Sequence, residues 1–257
     1  LSTERAFDSF AWPEGVARRV LTEVDSTNSE AARLAPGLAQ PTWIFAHRQT
    51  SARGRRGRDW VSPAGNFGAT LVMRSSGPPA EAAQRSFVAA LALADALAAV
   101  AGPGATITLK WPNDVLLNGG KVAGILLESA GQGGVVSHLA IGVGVNLAHA
   151  PPPGALEPGA HAPVSLLGET GIRIAPEEFL PPLANAYDRW ERQLRTYGFA
   201  PIRTAWLSRA ARVGQKITAR TVNETIEGTF ETIAEDGALV LVTPEGRRVI
   251  PAADVYF

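Results

Sequence analysis

The sequence predicts an α+β fold, with a sheet carrying helices over residues 1–211 and a small antiparallel β barrel over 212–257. Three observations predict it. β-rich runs alternate with helical patterns through most of the chain. Two apolar runs meet at Asn118-Gly119, a dipeptide suited to a two-residue hairpin turn. From Val213 onward the texture changes to four strand-like runs separated by turns, the pattern of a small barrel.

Residues 18–24, "RRVLTEV", read as a short strand. "DSTNSEAARLA" follows, with Thr27 and Glu30 at capping-box spacing for a helix start. Residues 42–47 and 68–73 are strands on either side of an arginine-rich loop. Residues 81–101 form an alanine-rich helix. "ATITLKW" is a strand, and "DVLLNGGKVAGILLE" is the hairpin. Residues 137–147 make a further strand, and 148–163 a loop rich in proline, alanine and glycine. "PEEFLPPLANAYDRWERQLRTYG" has an amphipathic helical period, and 201–211 a short helical one. The four C-terminal strand runs are "QKITARTV", "TIEGTFETI", "ALVLVTP" and "RRVIPAADV".

Composition narrows the function. The chain has 257 residues, 46% of them hydrophobic and 19% charged, as in ordinary soluble domains. Its 24 basic and 24 acidic residues balance, whereas a general nucleic-acid binder carries a basic field. With no cysteine, disulfides, zinc thiolates, iron–sulfur clusters and a cysteine nucleophile are excluded. The four histidines show no close metal-ligand spacing, so no resident metal is expected. "FVAALALADALAAVAG" is interrupted by Asp95 and reads as a buried helix, since a membrane span needs about 20 residues with few or no charges. No secretory signal is visible, and a cytoplasmic protein is expected.

Five motifs stand out against this even background. "QTSARGRRGRDW" sets Arg53, Arg55, Arg56 and Arg58 around Gly54 and Gly57, then ends on Trp60. Arginine binds phosphate and carboxylate through planar, paired hydrogen bonds, and glycine lets backbone approach a ligand. A solvated basic loop and an anion site are equally compatible with this stretch alone. "KWPNDV" restricts Trp111 to extended backbone ahead of Pro112, then turns through Asn113 and Asp114. A plain turn reads the same way. "GGKVAGILLE" places Lys121 near the hairpin and Gly124 inside a strand, where glycine marks a bulge or a ligand's approach. "GVGVN" leaves one strand face bare and ends on Asn146. "DSTN" is a helix start, which also suits a polar ligand. Neither a dinucleotide fingerprint nor a Walker loop is present.

Taken together and in order, "DSTN", "RGRRGRDW", "KWPND", "GGKVAGILLE" and "GVGVN" resemble the biotin protein ligases, over residues 20–147. The C-terminal runs resemble that family's small capping domain. The resemblance implies a mixed sheet related to class II aminoacyl-tRNA synthetases, plus a barrel like that of Src-homology-3 domains. It implies an enzyme that joins biotin to ATP as biotinyl-5'-adenylate, releases pyrophosphate, and passes biotin to a lysine of a biotin carboxyl carrier protein. Mg²⁺ would accompany the ATP. By motif position, Ser26, Thr27, Asn28, Gln49, Arg53, Gly54 and Gly124 match biotin contacts. Arg55 and Lys121 match positions shared by biotin and nucleotide, while Arg58, Asn113 and Asn146 match the nucleotide side. Lys121, Arg55 and Asp114 match the catalytic positions.

The sequence departs from the family at Ala52, where glycine is common, and lacks the tryptophan that some relatives carry after the glycine-asparagine strand. About twenty residues precede the first strand, too few for a helix-turn-helix, so no DNA-binding function is expected. A monomer and a homodimer both remain open. A lipoate–protein ligase, an arginine-loop nucleic-acid module and a non-catalytic biotin sensor are the competing readings.

Overall fold

The structure, a computed structural model, describes residues 10–152 and 161–257. Part of the loop expected over 148–163 therefore lies outside the described residues. Strands β1 (Ala17–Val24), β2 (Thr42–Gln49), β3 (Phe67–Arg74), β4 (Ile107–Lys110), β5 (Asp114–Leu117), β6 (Gly120–Gln132) and β7 (Val135–Val145) form one sheet in the order β1-β2-β3-β7-β6-β5-β4. β1 runs parallel to β2, and every other neighbour pair is antiparallel. The sheet is therefore mixed. The expected hairpin joins β5 to β6, with Asn118 at φ 50° and Gly119 at φ 87°.

Alternation along β2 sorts the two faces. Trp43 and Phe45 enter the large core with α3 (Arg85–Ala101) and α5 (Pro176–Tyr197). Ile44 points the other way, with Ala31 of α1 (Thr27–Leu34), Val72 and Ala140. The apolar α3 is a core helix, with Phe87, Leu91, Leu93, Leu97 and Val100 all buried. Burying each large apolar side chain contributes roughly 1.5–3 kcal/mol relative to exposure. The alanines between them let sheet and α5 approach α3 closely.

Three expectations are corrected. The helix expected over 81–101 is divided into α2 (Pro79–Ala83) and α3, because Phe87 N and Val88 N both reach Gln84 O and the regular ladder is broken there. Thr27 does not cap α1. Ser26 occupies the N-cap without a side-chain cap bond, and Glu30 pairs with Arg19 and Arg33 instead. The short helix runs Phe199–Leu207 (α6), with α4 (Leu166–Thr170) preceding α5.

The C-terminal sheet has five strands rather than four: β8 (Lys216–Arg220), β9 (Thr225–Ile233), β10 (Leu239–Thr243), β11 (Gly246–Ile250) and β12 (Asp254–Tyr256), in the order β11-β10-β9-β8-β12. The extra strand arises at Pro251, which has no N–H to continue the ladder. The chain turns there, crosses the sheet and pairs antiparallel with β8. This sheet and the larger one share a core. Trp111 is buried and donates from Nε1 to Gly237 O at 3.0 Å, and the Phe87 ring lies against Gly237.

Candidate active site

A cavity of about 640 Å³ opens between the middle of the large sheet, the arginine loop and β12. Every site residue singled out from the sequence lines it, from Ser26 to Asn146. At one end lies a buried polar network. Gln49 Oε1 accepts from Thr27 N at 2.8 Å and from Thr27 Oγ1 at 3.1 Å. The Thr70 hydroxyl sits 2.8 Å from that of Thr27 and donates to Asn28 Oδ1 at 2.6 Å. Asn28 Nδ2 donates to Glu128 Oε2 at 2.8 Å. Ser26, Thr27, Asn28 and Thr70 are all buried, so their partners matter: an unmatched buried polar group costs about 1–3 kcal/mol.

The glycines of "GVGVN" explain how this network fits. A Cβ at Gly142 would collide with the Asn28 carboxamide, and one at Gly144 would sit 2.5 Å from the Trp60 indole. The bare strand face is thus filled by an amide and a tryptophan. Trp60 also covers Gly124, which pairs with Gly144 across β6 and β7. Gly124 therefore faces the indole where the sequence suggests a ligand. Trp60 Nε1 is buried without a hydrogen-bond partner among the described residues.

The arginine loop folds back on itself. Gly54 N donates to Arg58 O at 2.7 Å and Trp60 N to Ala52 O at 3.0 Å. Gly57 at φ 73° and Arg56 at φ 56° make the tight tip, while Gly54 needs no positive φ. Arg53 reaches inward, with Nη2 3.0 Å from Glu128 Oε2 and Nη1 donating to Ser29 Oγ at 2.8 Å. Arg55 lies 3.4 Å from Asn113 Oδ1 and 3.6 Å from Asp254 Oδ1. Burial lowers its pKa below the usual guanidinium range.

Between the two ends stand three charged groups. Asp114, at the start of β5, lies 2.7 Å from Lys121 Nζ and 3.6 Å from Lys110 Nζ. Lys110 is buried, and desolvation pushes its pKa down. Lys121 stays partly open, 5.8 Å from the Trp60 ring centroid. The turn carrying Asn113 contains a cis Trp111–Pro112 peptide. Asn113 Nδ2 donates to Ile125 O at 2.6 Å, tying the turn to β6. Asn146 is buried, donating to Val164 O at 3.1 Å and facing Asn66.

The chain and its fold have counterparts among known proteins. The Biotin/lipoate A/B protein ligase family profile matches residues 20–146, and the Biotin protein ligase C terminal domain profile matches 213–257. A biotin–[acetyl-CoA-carboxylase] ligase of Paracoccus denitrificans is 61% identical over 238 residues, 93% of this chain and 99% of its own. The chain belongs to the biotin protein ligase family. The bifunctional ligase/repressor BirA of Bacillus subtilis is 34% identical over 90% of this chain and 71% of its own. Among solved structures, the biotin protein ligase from Aquifex aeolicus in complex with biotin and ATP superposes with a TM-score of 0.78 at 25% identity, over 93% of this chain and 98% of that one. The Leishmania major ligase in complex with biotinyl-5-AMP shares the fold, with a TM-score of 0.60 at 21% identity over 93% of this chain and 100% of that one.

Several residues of this biotin protein ligase were not legible as site residues. Glu128 and Asp254 bind the arginine loop from β6 and β12. Thr70 completes the buried network, and Trp60 lines the cavity. A signal existed for Trp60, since it closes the arginine motif. None existed for Asp254, which nothing in its local sequence distinguishes from a surface strand acid.

Proposed function

We propose that this chain activates biotin with ATP and transfers it to a lysine of a biotin carboxyl carrier protein. The observation that supports the reading is that Lys121, Asp114, the hydroxyl-amide group Ser26, Thr27, Asn28 and Gln49, and Arg53, Arg55 and Arg58 of the arginine loop all line one cavity. A urea-like ring requires neutral donors and acceptors, which Ser26, Thr27, Asn28 and Gln49 supply, with Arg53 and Gly54 bordering them. A carboxylate and a triphosphate repel each other, and cations between them lower that cost.

In this reading Arg55, Arg58, Asn113 and Asn146 attend the nucleotide. A carboxylate oxygen of biotin attacks the α-phosphorus, the bond to the β-phosphate oxygen breaks, and pyrophosphate leaves. Lys121 and Arg55 stabilise charge growing on the α-phosphoryl oxygens. The carrier lysine then attacks the acyl carbon, the bond from that carbon to the AMP phosphate oxygen breaks, AMP departs, and the amine's proton passes to Asp114 or to water. Asp114, engaged by both Lys110 and Lys121, orients Lys121 and the incoming amine. Gly124 permits close backbone approach once the indole of Trp60 moves aside. Mg²⁺ would travel with the triphosphate, held chiefly by phosphate oxygens and water. Among the described residues no three histidine, aspartate or glutamate side chains converge to hold a metal by themselves.

The same reading makes the larger sheet a relative of the class II aminoacyl-tRNA synthetase fold and the C-terminal sheet one of the Src-homology-3 barrels. Residues 1–211 form the catalytic unit, 212–257 the small one, and the working place is the cytoplasm. The test is biotin-dependent exchange of labelled pyrophosphate into ATP. Exchange with biotin and none with lipoate is expected. A folded protein that exchanges with neither overturns the reading.

A further inference from the structure

Lysine is scarce in this chain. Of its 24 basic residues only Lys110, Lys121 and Lys216 are lysines, and the rest are arginines. Two of the three line the cavity. Lys110 ends β4, Asp114 opens β5 and Lys121 stands second on β6, so one antiparallel ladder fixes all three. Asp114 Oδ1 lies 2.7 Å from Lys121 Nζ, and Oδ2 lies 3.6 Å from Lys110 Nζ. Each oxygen of the carboxylate therefore serves one ammonium. The Asp114 side chain is 13% exposed, that of Lys110 9% and that of Lys121 32%. Lys216 opens β8 on the C-terminal sheet and is exposed.

This inference rests on the functional reading above, in which a lysine-reactive acyl-adenylate forms beside Lys121 before any carrier arrives. A neutral Lys121 or Lys110 would attack the acyl carbon. A C–N bond would form, the bond to the AMP phosphate oxygen would break, AMP would leave, and the amine's proton would pass to water. The enzyme would be acylated in its own cavity. An ammonium has no lone pair and cannot attack. We propose that Asp114 guards the two cavity lysines, keeping both protonated so that the acyl group passes to an outside amine and not to the enzyme. An opposite charge at this range favours the charged form of an amine. Burial works against it, pulling the pKa of Lys110 down, and the ammonium of Lys121 adds to that pull. Asp254 acts on Lys110 as well, more weakly than Asp114. Without Asp114, two ammoniums share a partly desolvated cavity with Arg55, and one of them sheds its proton. The arginines carry no such risk, since a guanidinium stays protonated.

The experiment is competitive acetylation of the full chain with trace sulfosuccinimidyl acetate, read by peptide mass spectrometry, with Lys216 as the exposed internal reference. In the wild type Lys216 reacts first. Asp114→Asn is expected to raise acetylation of Lys121 or Lys110 relative to Lys216 by about tenfold or more, the scale for losing a paired opposite charge. Asp114→Glu restores the protection. A second arm adds synthetic biotinyl-5'-adenylate without carrier, which separates acylation from synthesis of the intermediate. Asp114→Asn acquires biotin on Lys121 or Lys110, and the wild type does not. Unchanged acetylation ratios in Asp114→Asn, or wild-type Lys121 labelled as fast as Lys216, overturn the guard. Should Asp114→Asn fail to fold, Asp114→Ala is read in the same way. A wild type that exchanges pyrophosphate, with a variant that the adenylate leaves unmodified at both cavity lysines, also overturns it. A wild type without exchange sinks the functional reading, and the acetylation ratios still decide whether Asp114 protects the amines.

Discussion

The two ends of the cavity are built on different principles. The hydroxyl-amide end is largely buried: Thr27, Asn28, Gln49 and Thr70 sit in regular elements and bond one another, and Asn28 donates onward to Glu128. The arginine end is long-range and wet. Its guanidiniums stand on a loop, half-exposed, and their partners Glu128 and Asp254 come from β6 and β12. A buried network has its ordering cost met when the protein folds, so in the proposed function it would receive biotin with little rearrangement. A loop held by screened ion pairs can exchange those partners for phosphate and reopen afterwards. A labile adenylate calls for such a pairing of a rigid seat with a closing cover.

Lys121 stands between the two ends, and the largest effect is expected there. Lys121→Ala should lower pyrophosphate exchange by roughly 100-fold or more, the scale for losing a group aimed at developing charge. Its melting temperature should stay near that of the wild type, since the ammonium is partly exposed and Lys110 still faces Asp114. Normal turnover would show that Lys121 has no part in the chemistry.

The next variants set the two ends against each other. Thr70→Val keeps the shape and removes the hydroxyl, leaving Asn28 Oδ1 and Thr27 Oγ1 short of a partner. Chemical denaturation should show a loss of about 1–3 kcal/mol, with biotin binding weakened as well. Arg55→Gly should leave stability nearly unchanged, yet release free biotinyl-adenylate several-fold faster, roughly the effect of loosening a cover over a reactive intermediate. If Thr70→Val proves as well tolerated in denaturation as Arg55→Gly, the seat is no more rigid than the cover and the contrast fails.

Much of this was readable in advance, for identifiable reasons. The hairpin at Asn118-Gly119 declared itself because two successive positive φ angles demand such residues. "GVGVN" announced a bare strand face because side chains alternate with period two. The division of the alanine-rich helix at Gln84 was not readable, since its break is a matter of hydrogen-bond spacing and not of composition. Nor was the fifth C-terminal strand, whose residues look like the tail of the fourth until Pro251 is seen to turn the chain.

By itself the sequence determined the order of elements, the five motifs and the kinds of group brought to the cavity. Those properties are local: they depend on backbone propensity, side-chain period and residue chemistry within a few positions. The tertiary structure alone decided what each group faces. Asn28 fits only because Gly142, on β7, lacks a side chain, and Trp60 packs against the strands only because Gly124 and Gly144 lack theirs. Arg55, Arg56 and Arg58 meet Asp254 only because the C-terminal sheet packs against the loop. Close packing and ion pairing act over a few ångströms in space, at any separation along the chain, and so leave no trace in a local reading.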